Sequence, residues 1–321
     1  VSSVPSGTSR PLIGALILTH NEEANIGRTL AGLQWLERIL VIDSGSTDAT
    51  LAILADHPAV EILHRPFDSF AGQCNFGLER LGTTWALSLD ADYVVTPALA
   101  AEITAVMVAS QEKEGDPASG PGSSPAFSPV IGAGPPQPPH TPAGYAIPFR
   151  YCIAGRPVRG SLLPPRTCLY RTDAAHYRDD GHGHRVEIIG TVGSLCQPLL
   201  HDDRKPLVRW LASQQRYMGQ EADKLLSTPT RRLSAADRLR RHTPLAPLAA
   251  LLLCLVARGG VLDGWYGWAY ALQRCYAELL LLLILIDRRL VEAPGGHADN
   301  GPARRDPLGP ESRASGSPSP P

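Results

Sequence analysis

The sequence lacks several features that would settle its class at once. It has no Cys-x-x-Cys pair. Its six cysteines, Cys74, Cys152, Cys168, Cys196, Cys254 and Cys275, fall at spacings that match no common zinc pattern. Buried free thiols in a reducing compartment are therefore expected, rather than a disulfide framework. Neither sign of charge dominates: 30 Lys and Arg stand against 31 Asp and Glu, for a formal net charge of -1. That balance gives no global reason to bind nucleic acid. The amino terminus, VSSVPSGTSR, lacks the basic-then-apolar layout of a secretory signal, and the chain is expected to face the cytoplasm. The apolar runs PLAPLAALLLCLVA and YAELLLLLILID each fall short of the ~20 residues that span a bilayer. What is present is a chain of 321 residues, 43% apolar and 19% charged. It can bury a substantial core as one large domain or two small ones.

From residue 11 the chain alternates buried-strand and helix patterns. LIGALILTHNEE is an apolar, β-branched run ending in polar residues, and ANIGRTLAGLQWLE follows with helical spacing of Ile26, Leu30, Leu33 and Leu36. RILVIDSGSTDAT is a second strand ending at Asp43, and Ser46 or Thr47 can cap the helix after it. VEILHR and TWALSLDADYVV read as the third and fourth strands, with FAGQCNFGLERLG as a turn and helix between them. This alternation predicts a parallel α/β sheet covered on both faces, with ligands at the carboxyl ends of its strands. Asn21, Asp43, Arg65 and Asp90 all fall at such ends.

Composition divides the rest. Residues 1–10 read as a flexible terminus and 11–110 as a first, ligand-binding half. Residues 111–143, dense in Gly, Pro and Ser, read as a disordered insertion. A second half covers 144–230, a basic and apolar helical region 231–293, and a disordered tail 294–321. Residues 231–241 carry five arginines, and Trp265, Tyr266, Trp268 and Tyr270 group nearby. Arginines, short apolar segments and interfacial aromatics together predict helices lying in a membrane interface. A buried helical hairpin and a spanning hairpin are the alternatives.

Asp90 and Asp92 form a D-x-D pair at the end of an apolar run. Two such carboxylates can grip Mg²⁺ or Mn²⁺, which take oxygen ligands and keep waters and substrate phosphates in their shell. The same LSLDADYVV stretch also fits a phosphatase of the haloacid dehalogenase type, with Asp90 as nucleophile. In that class the motif strand comes first, whereas three strand–helix units precede it here.

The ordered set ILTHNEEANIGRTL, ILVIDSGSTDAT and GQCNFGLERLGTTWALSLDADYVV resembles a family-two inverting glycosyltransferase of the GT-A fold. PPRTCLYRTDAAHYRDDGHGHRVEIIG and HDDRKPLVRWLASQQRYMGQEADKL resemble bacterial lipopolysaccharide-core β-glucosyltransferases within it. The resemblance covers roughly residues 11–110 and 144–290. It implies a Rossmann-like mixed sheet with helices on both faces, a nucleotide-sugar donor (a UDP-sugar foremost) and a divalent metal. It also implies a lipid-linked or lipopolysaccharide acceptor at the cytoplasmic face of a bacterial inner membrane, with the chain peripheral or monotopic. Carried over residue by residue, Thr19 and Glu22 would lie beside the nucleotide, and Asp43 would accept a hydrogen bond from the base. Arg65 and Asn75 would line the nucleotide or phosphate side. Asp90 would contact the ribose or the metal, and Asp92 would ligate the metal. Where many relatives have an acidic residue after the pair, this chain has Tyr93.

Inverting transfer needs a base to take the acceptor proton. RDDGHGHRVEI offers Asp179, Asp180 and Glu187 beside His182 and His184. Asp180, placed before Gly181, is the expected base, with Asp179 and Glu187 as runners-up. His201, in LLHDDRK, is a candidate third metal ligand or diphosphate contact. A membrane-associated module that keeps the fold without turnover is the remaining alternative.

Overall fold

The computed structural model describes residues 12–114, 142–180 and 183–292. The elements run β1 (Ile13–Thr19), α1 (Ile26–Ala31), β2 (Ile39–Asp43), α2 (Thr50–Ala55), β3 (Val60–His64), α3 (Phe70–Leu81), β4 (Trp85–Asp90), β5 (Tyr93–Val94) and α4 (Pro97–Glu114). There follow β6 (Gly144–Ile147), β7 (Phe149–Ile153), β8 (Arg156–Pro157), β9 (Arg166–Arg171), β10 (Ala175–Asp180), β11 (Gly183–Ile188), β12 (Val192–Ser194) and β13 (Leu199–His201). Four helices close the described chain: α5 (Leu207–Ser227), α6 (Ala235–His242), α7 (Ala246–Leu252) and α8 (Trp265–Glu292).

Seven strands form a mixed sheet in the order β12-β6-β9-β4-β1-β2-β3. β1 to β4 are mutually parallel, and β9 runs antiparallel between β4 and β6. All five residues of β2 are buried, as a strand covered on both faces requires. Alternate residues of β1 feed two cores. Ala15 and Ile17 join Leu30 of α1, Leu54 of α2 and Ile103 of α4 on one face, while Leu16 joins Cys74 and Leu78 of α3 on the other. The mixed α/β architecture expected from the sequence is thus present.

Helix α3 shows how local chemistry sets an element. The Ser69 hydroxyl accepts from the Gly72 N–H at 3.0 Å, and Gly82 ends the helix in the left-handed region at φ 72°. At Gly77 an added Cβ would come within 2.3 Å of Leu16 Cδ1, so glycine lets α3 settle onto β1.

Two readings of the sequence need correction. TWALSLDADYVV is not one strand: it breaks at Ala91–Asp92, and β5 joins a separate sheet of order β5-β13-β7-β8. The break occurs because other elements take the carbonyls of the turn. Thr29 Oγ1 donates to the Ala91 carbonyl at 2.7 Å, and the Asp202 N–H donates to the Asp92 carbonyl at 3.0 Å. The second correction concerns YAELLLLLILID. It belongs to α8, a single helix whose Trp265–Val291 stretch is long and apolar enough, by length and composition, to cross a membrane. Two of its charges are paired to neighbouring helices: Arg240 grips Glu278 at 2.7 and 3.0 Å, and Arg288 pairs with Asp223.

The two faces of α8 differ. Tyr270, Ala271, Ala277, Leu281 and Leu285 are buried, the last two against Ala222 and Leu225 of α5. Trp268, Leu272, Tyr276, Leu279, Leu283, Ile286 and Leu290 are exposed, spaced three or four apart along one stripe. Helix α4 continues to Glu114, four residues into the stretch read as an insertion, and Ala143 already bonds the Thr191 carbonyl at 2.8 Å. Residues 115–141, the first 11 and those from 293 onward lie outside the described residues.

Candidate active site

Strand register places the expected rim residues at one level. Thr19 pairs with Asp43, Leu18 with Asp90, and Asp43 with His64. The carboxyl ends of β1, β2, β3 and β4 therefore finish side by side, where parallel sheets place their ligands.

Asp43 is fully buried, and its carboxylate holds the turn that follows it. It accepts from the Gly45 N–H at 2.9 Å, the Ser46 N–H at 3.0 Å and the Ser46 hydroxyl at 2.5 Å. Burial alone would push this carboxyl up. The Ser46 and Gly45 hydrogen bonds, with His64 beside it, outweigh burial and hold it below the ordinary carboxylate value. The Thr19 hydroxyl is buried with no hydrogen-bond partner.

Asp92 is the centre of a second network. Its Oδ2 lies 3.0 Å from His201 Nε2, because β5 and β13 pair Tyr93 with His201 and bring the two side chains together. Burial opposes charge on both groups. Their mutual attraction outweighs it, lowering Asp92 and raising His201 from their ordinary values. The other oxygen, Oδ1, is buried with no hydrogen-bond partner. An unsatisfied carboxylate oxygen in such a place is costly unless something positive meets it. It fits a hard divalent cation. Among the described residues, however, no three His, Cys, Asp or Glu side chains are gathered as a ready ligand set. His201 is spent on Asp92, so the trio Asp90, Asp92 and His201 does not form a three-ligand cage. A cation here would take Asp92 Oδ1, with Asp90 at the adjacent strand end, and complete its shell from water and substrate oxygens.

Tyr93, the departure noted in the sequence, has a defined place. Its hydroxyl accepts from Arg166 Nη1 at 2.9 Å. Burial pushes this phenol well up, and nearby Asp90 pushes the same way. The residue links β9 to the D-x-D turn instead of adding a third carboxylate.

The HDDRK stretch, read from the sequence only for His201, joins the rim to the amino-terminal loop. Lys205 pairs with Glu22. Burial raises the Glu22 carboxyl, and that outweighs the pull of Lys205. Asn25 donates to Glu22 and to Asp203, each at 2.9 Å. Asp202 is buried and takes Arg28 at 3.2 Å, Arg204 at 2.8 Å and the Gly155 N–H at 3.1 Å. Gly155 has φ 81°, and a Cβ there would strike the Arg204 guanidinium at 2.1 Å.

Two other expected nucleotide contacts have their polar atoms engaged elsewhere. Arg65 makes a bidentate pair with Asp68 at 2.7 Å for both bonds and thereby holds Asp68 at about 2. Asn75 clamps the backbone of Tyr177 from both sides, donating to its carbonyl at 3.0 Å and accepting from its N–H at 2.9 Å. Asn75 therefore ties α3 to β10.

Of the base candidates, Asp179 accepts from the Ala71 N–H at 3.2 Å and Glu187 pairs with Arg178 at 3.1 Å. Asp180 ends β10, and its side chain, with residues 181 and 182 and the His184 side chain, lies outside what the structure describes. The Ala71 bond places Asp179 itself beside the amino end of α3, on the rim side of the sheet.

The chain is similar in sequence to known glycosyltransferases. Residues 15–111 match the family model described as Glycosyl transferase family 2. The chain is 32% identical over 104 residues to the lipopolysaccharide core biosynthesis glycosyltransferase LpsC of Rhizobium meliloti, covering 31% of this chain and 38% of that protein. It is 34% identical over 92 residues to an uncharacterised glycosyltransferase of Rickettsia felis, covering 28% and 32%. The chain thus spans well under half the length of these curated relatives. Among solved structures, S. aureus TarS 1–349 in complex with UDP superposes with a TM-score of 0.42 at 12% identity, over 88% of this chain and 92% of that one. The phosphatase alternative finds no support among these matches. Residues 15–111 are thus similar to glycosyl transferase family 2 domains.

Proposed function

We propose that the chain transfers a sugar, with inversion, from a nucleotide-diphosphate sugar to a hydroxyl acceptor on a lipid-linked glycan or lipopolysaccharide core. The observation that carries this reading is the buried, unpartnered Oδ1 of Asp92 at the strand-end rim, one turn from Asp90. The relatives' names favour the same class, since LpsC is a lipopolysaccharide core glycosyltransferase. A Mg²⁺ or Mn²⁺ ion, when bound, would neutralise charge on the departing diphosphate.

The chain's own residues have the following parts. The Asp43 turn gives the donor's base a fixed edge, with Thr19 beside it. Lys205, close to Asp92 and held by Glu22, adds positive charge on the diphosphate side. His201 holds the Asp92 carboxylate in one orientation, leaving Oδ1 for the cation. Asp180, at the hairpin tip, takes the acceptor proton from the face opposite the diphosphate.

The exposed stripe of α8 supports attachment to a membrane, with the helix lying along the surface; the face proposed is the cytoplasmic one. Spanning would require α5 and α6 to release the opposite face, where Glu278 is only 6% exposed against Arg240.

The test is transfer from a panel of UDP-, GDP- and dTDP-sugars to a lipid-linked acceptor with Mg²⁺ or Mn²⁺. Chelation and Asp92→Asn are each expected to abolish turnover while circular dichroism stays native. A chain that binds no nucleotide sugar with either metal, or an Asp92→Asn variant with full turnover, overturns the reading.

A further inference from the structure

Away from the rim, a cavity of about 250 Å³ is lined by Arg156, Pro157, Arg159, Leu262, Asp263 and Tyr266. None of these six residues belongs to the rim networks. The cavity lies where β8 meets the turn before α8, and its chemistry is that of an anion site beside an apolar tip.

Charge decides the first half of that statement. Asp263 is already satisfied: it accepts from the Arg159 N–H at 2.6 Å and pairs with the Arg159 guanidinium at 3.4 Å. Arg156 has no carboxylate partner among the described residues. Its guanidinium instead lies over the Tyr266 ring, 4.8 Å from the centroid. A guanidinium stacked on an aromatic face keeps its in-plane N–H donors available, and that fork matches a phosphate. The cavity therefore carries one uncompensated positive charge with donors suited to a phosphate group.

Exposure decides the second half. Leu262 lines the cavity and is 73% exposed; Trp265, three residues on, is 86% exposed, and Val256, in the helical segment Leu253–Ala257 before it, is 70% exposed. This tip is continuous with the apolar stripe of α8. Its backbone is packed closely, since a Cβ on Gly267 would meet the Gly260 carbonyl oxygen at 1.8 Å. Large apolar side chains next to a cationic pocket are arranged as the boundary between headgroups and acyl chains is. The surrounding segment complements an anionic surface: residues 231–292 hold nine arginines against five carboxylates, in a chain of net charge -1.

We propose that this cavity binds the phosphate of an anionic phospholipid headgroup, with Arg156 as its principal contact, while Leu262 and Trp265 enter the acyl boundary. The site sets the depth and rotation at which α8 lies on the membrane. The proposal rests on the membrane attachment inferred above and names the lipid that the attachment selects.

The test is sedimentation of the full chain with vesicles of phosphatidylcholine alone and of phosphatidylcholine with phosphatidylglycerol. Wild type is expected to prefer the anionic vesicles. Arg156→Gln should weaken binding to them by about fivefold, the scale of one arginine at a charged surface, and leave binding to neutral vesicles unchanged. Arg238→Gln, at an exposed arginine on α6 outside the cavity, should weaken anionic binding much less. A UDP-induced rise in melting temperature that is equal in wild type and Arg156→Gln shows that the fold and donor site are intact. The proposal is overturned if Arg156→Gln binds anionic vesicles like wild type, or if Arg238→Gln is equally damaging, since charge alone then explains binding. It is also overturned if millimolar inorganic phosphate abolishes the anionic preference, which would make free phosphate the ligand. Wild type that sediments with neither vesicle removes the membrane attachment as well, whereas the sugar-transfer reading is judged separately by turnover.

Discussion

Trp85, at the start of β4, keeps 2% of its surface exposed; Trp265, at the start of α8, keeps 86%. The contrast extends to the regions around them. In the strand–helix half, apolar side chains fill two cores and polar groups are held at the strand ends. In the C-terminal helices the arrangement is mixed, with apolar side chains on both the buried and the exposed faces. Gln214 and Glu278 are buried against neighbouring helices, while Leu272, Leu283 and Leu290 face outward. Apolar composition therefore has two meanings in one chain. In the first region it supplies folding energy, and in the second a contiguous apolar patch that calls for a partner surface.

The comparison can be broken at several points. The largest effect is expected at Asp92, where asparagine should lower single-turnover sugar transfer by about 10²–10³-fold with little loss of stability. An equal loss of stability and activity would instead make the Asp92–His201 pair a structural device. The next effect sets the two regions directly against each other. Leu40→Ala, in the doubly covered β2, should cost about 2–5 kcal/mol in urea unfolding. Leu283→Ala should cost within about 0.5 kcal/mol yet weaken vesicle binding. Similar costs at both positions would mean that the α8 stripe is covered by protein.

Asn75→Ala leaves two backbone groups of Tyr177 unmatched, and should cost about 1–3 kcal/mol without altering donor affinity. A large loss of nucleotide binding at constant stability would return Asn75 to the nucleotide side. The smallest effect concerns Asp43 and acid. Its folded value lies below the ordinary 3.8, so its contribution is complete above that value and is lost as pH falls through the lower folded one. The stability gap between wild type and Asp43→Asn should accordingly be widest near neutrality and close in acid. A gap that is constant from neutral to strongly acidic pH would show that the carboxylate charge contributes nothing.

Much of the first region was legible because its signals are local. Apolar runs ending in Thr19, Asp43 and Asp90 marked the strands, and parallel pairing then placed those ends side by side. The D-x-D turn and its surroundings were less legible. Lys205 meets Glu22 across 183 residues, Asn75 meets Tyr177 across 102, and Arg166 meets Tyr93 across 73. No window of sequence contains either pair member's partner. The charge density of HDDRK was the available signal, and it drew attention to His201 alone. In α8 the partners of Glu278 and Arg288 come from other helices, Arg240 of α6 and Asp223 of α5, so no local window shows them paired.

The sequence by itself determined the strand–helix alternation through β4, which side chains end those strands, and the family to which residues 15–111 are similar. These depend on propensity, periodicity and motif order, all readable over a few residues. Tertiary structure alone decided that Asp92 spends one oxygen on His201 and leaves the other unpartnered. It also decided that Asn75 clamps a backbone and that Glu278 of α8 turns inward onto Arg240. Each of these is a pairing between residues far apart in the chain, and burial sets its energy. Burial exists only once the elements have packed.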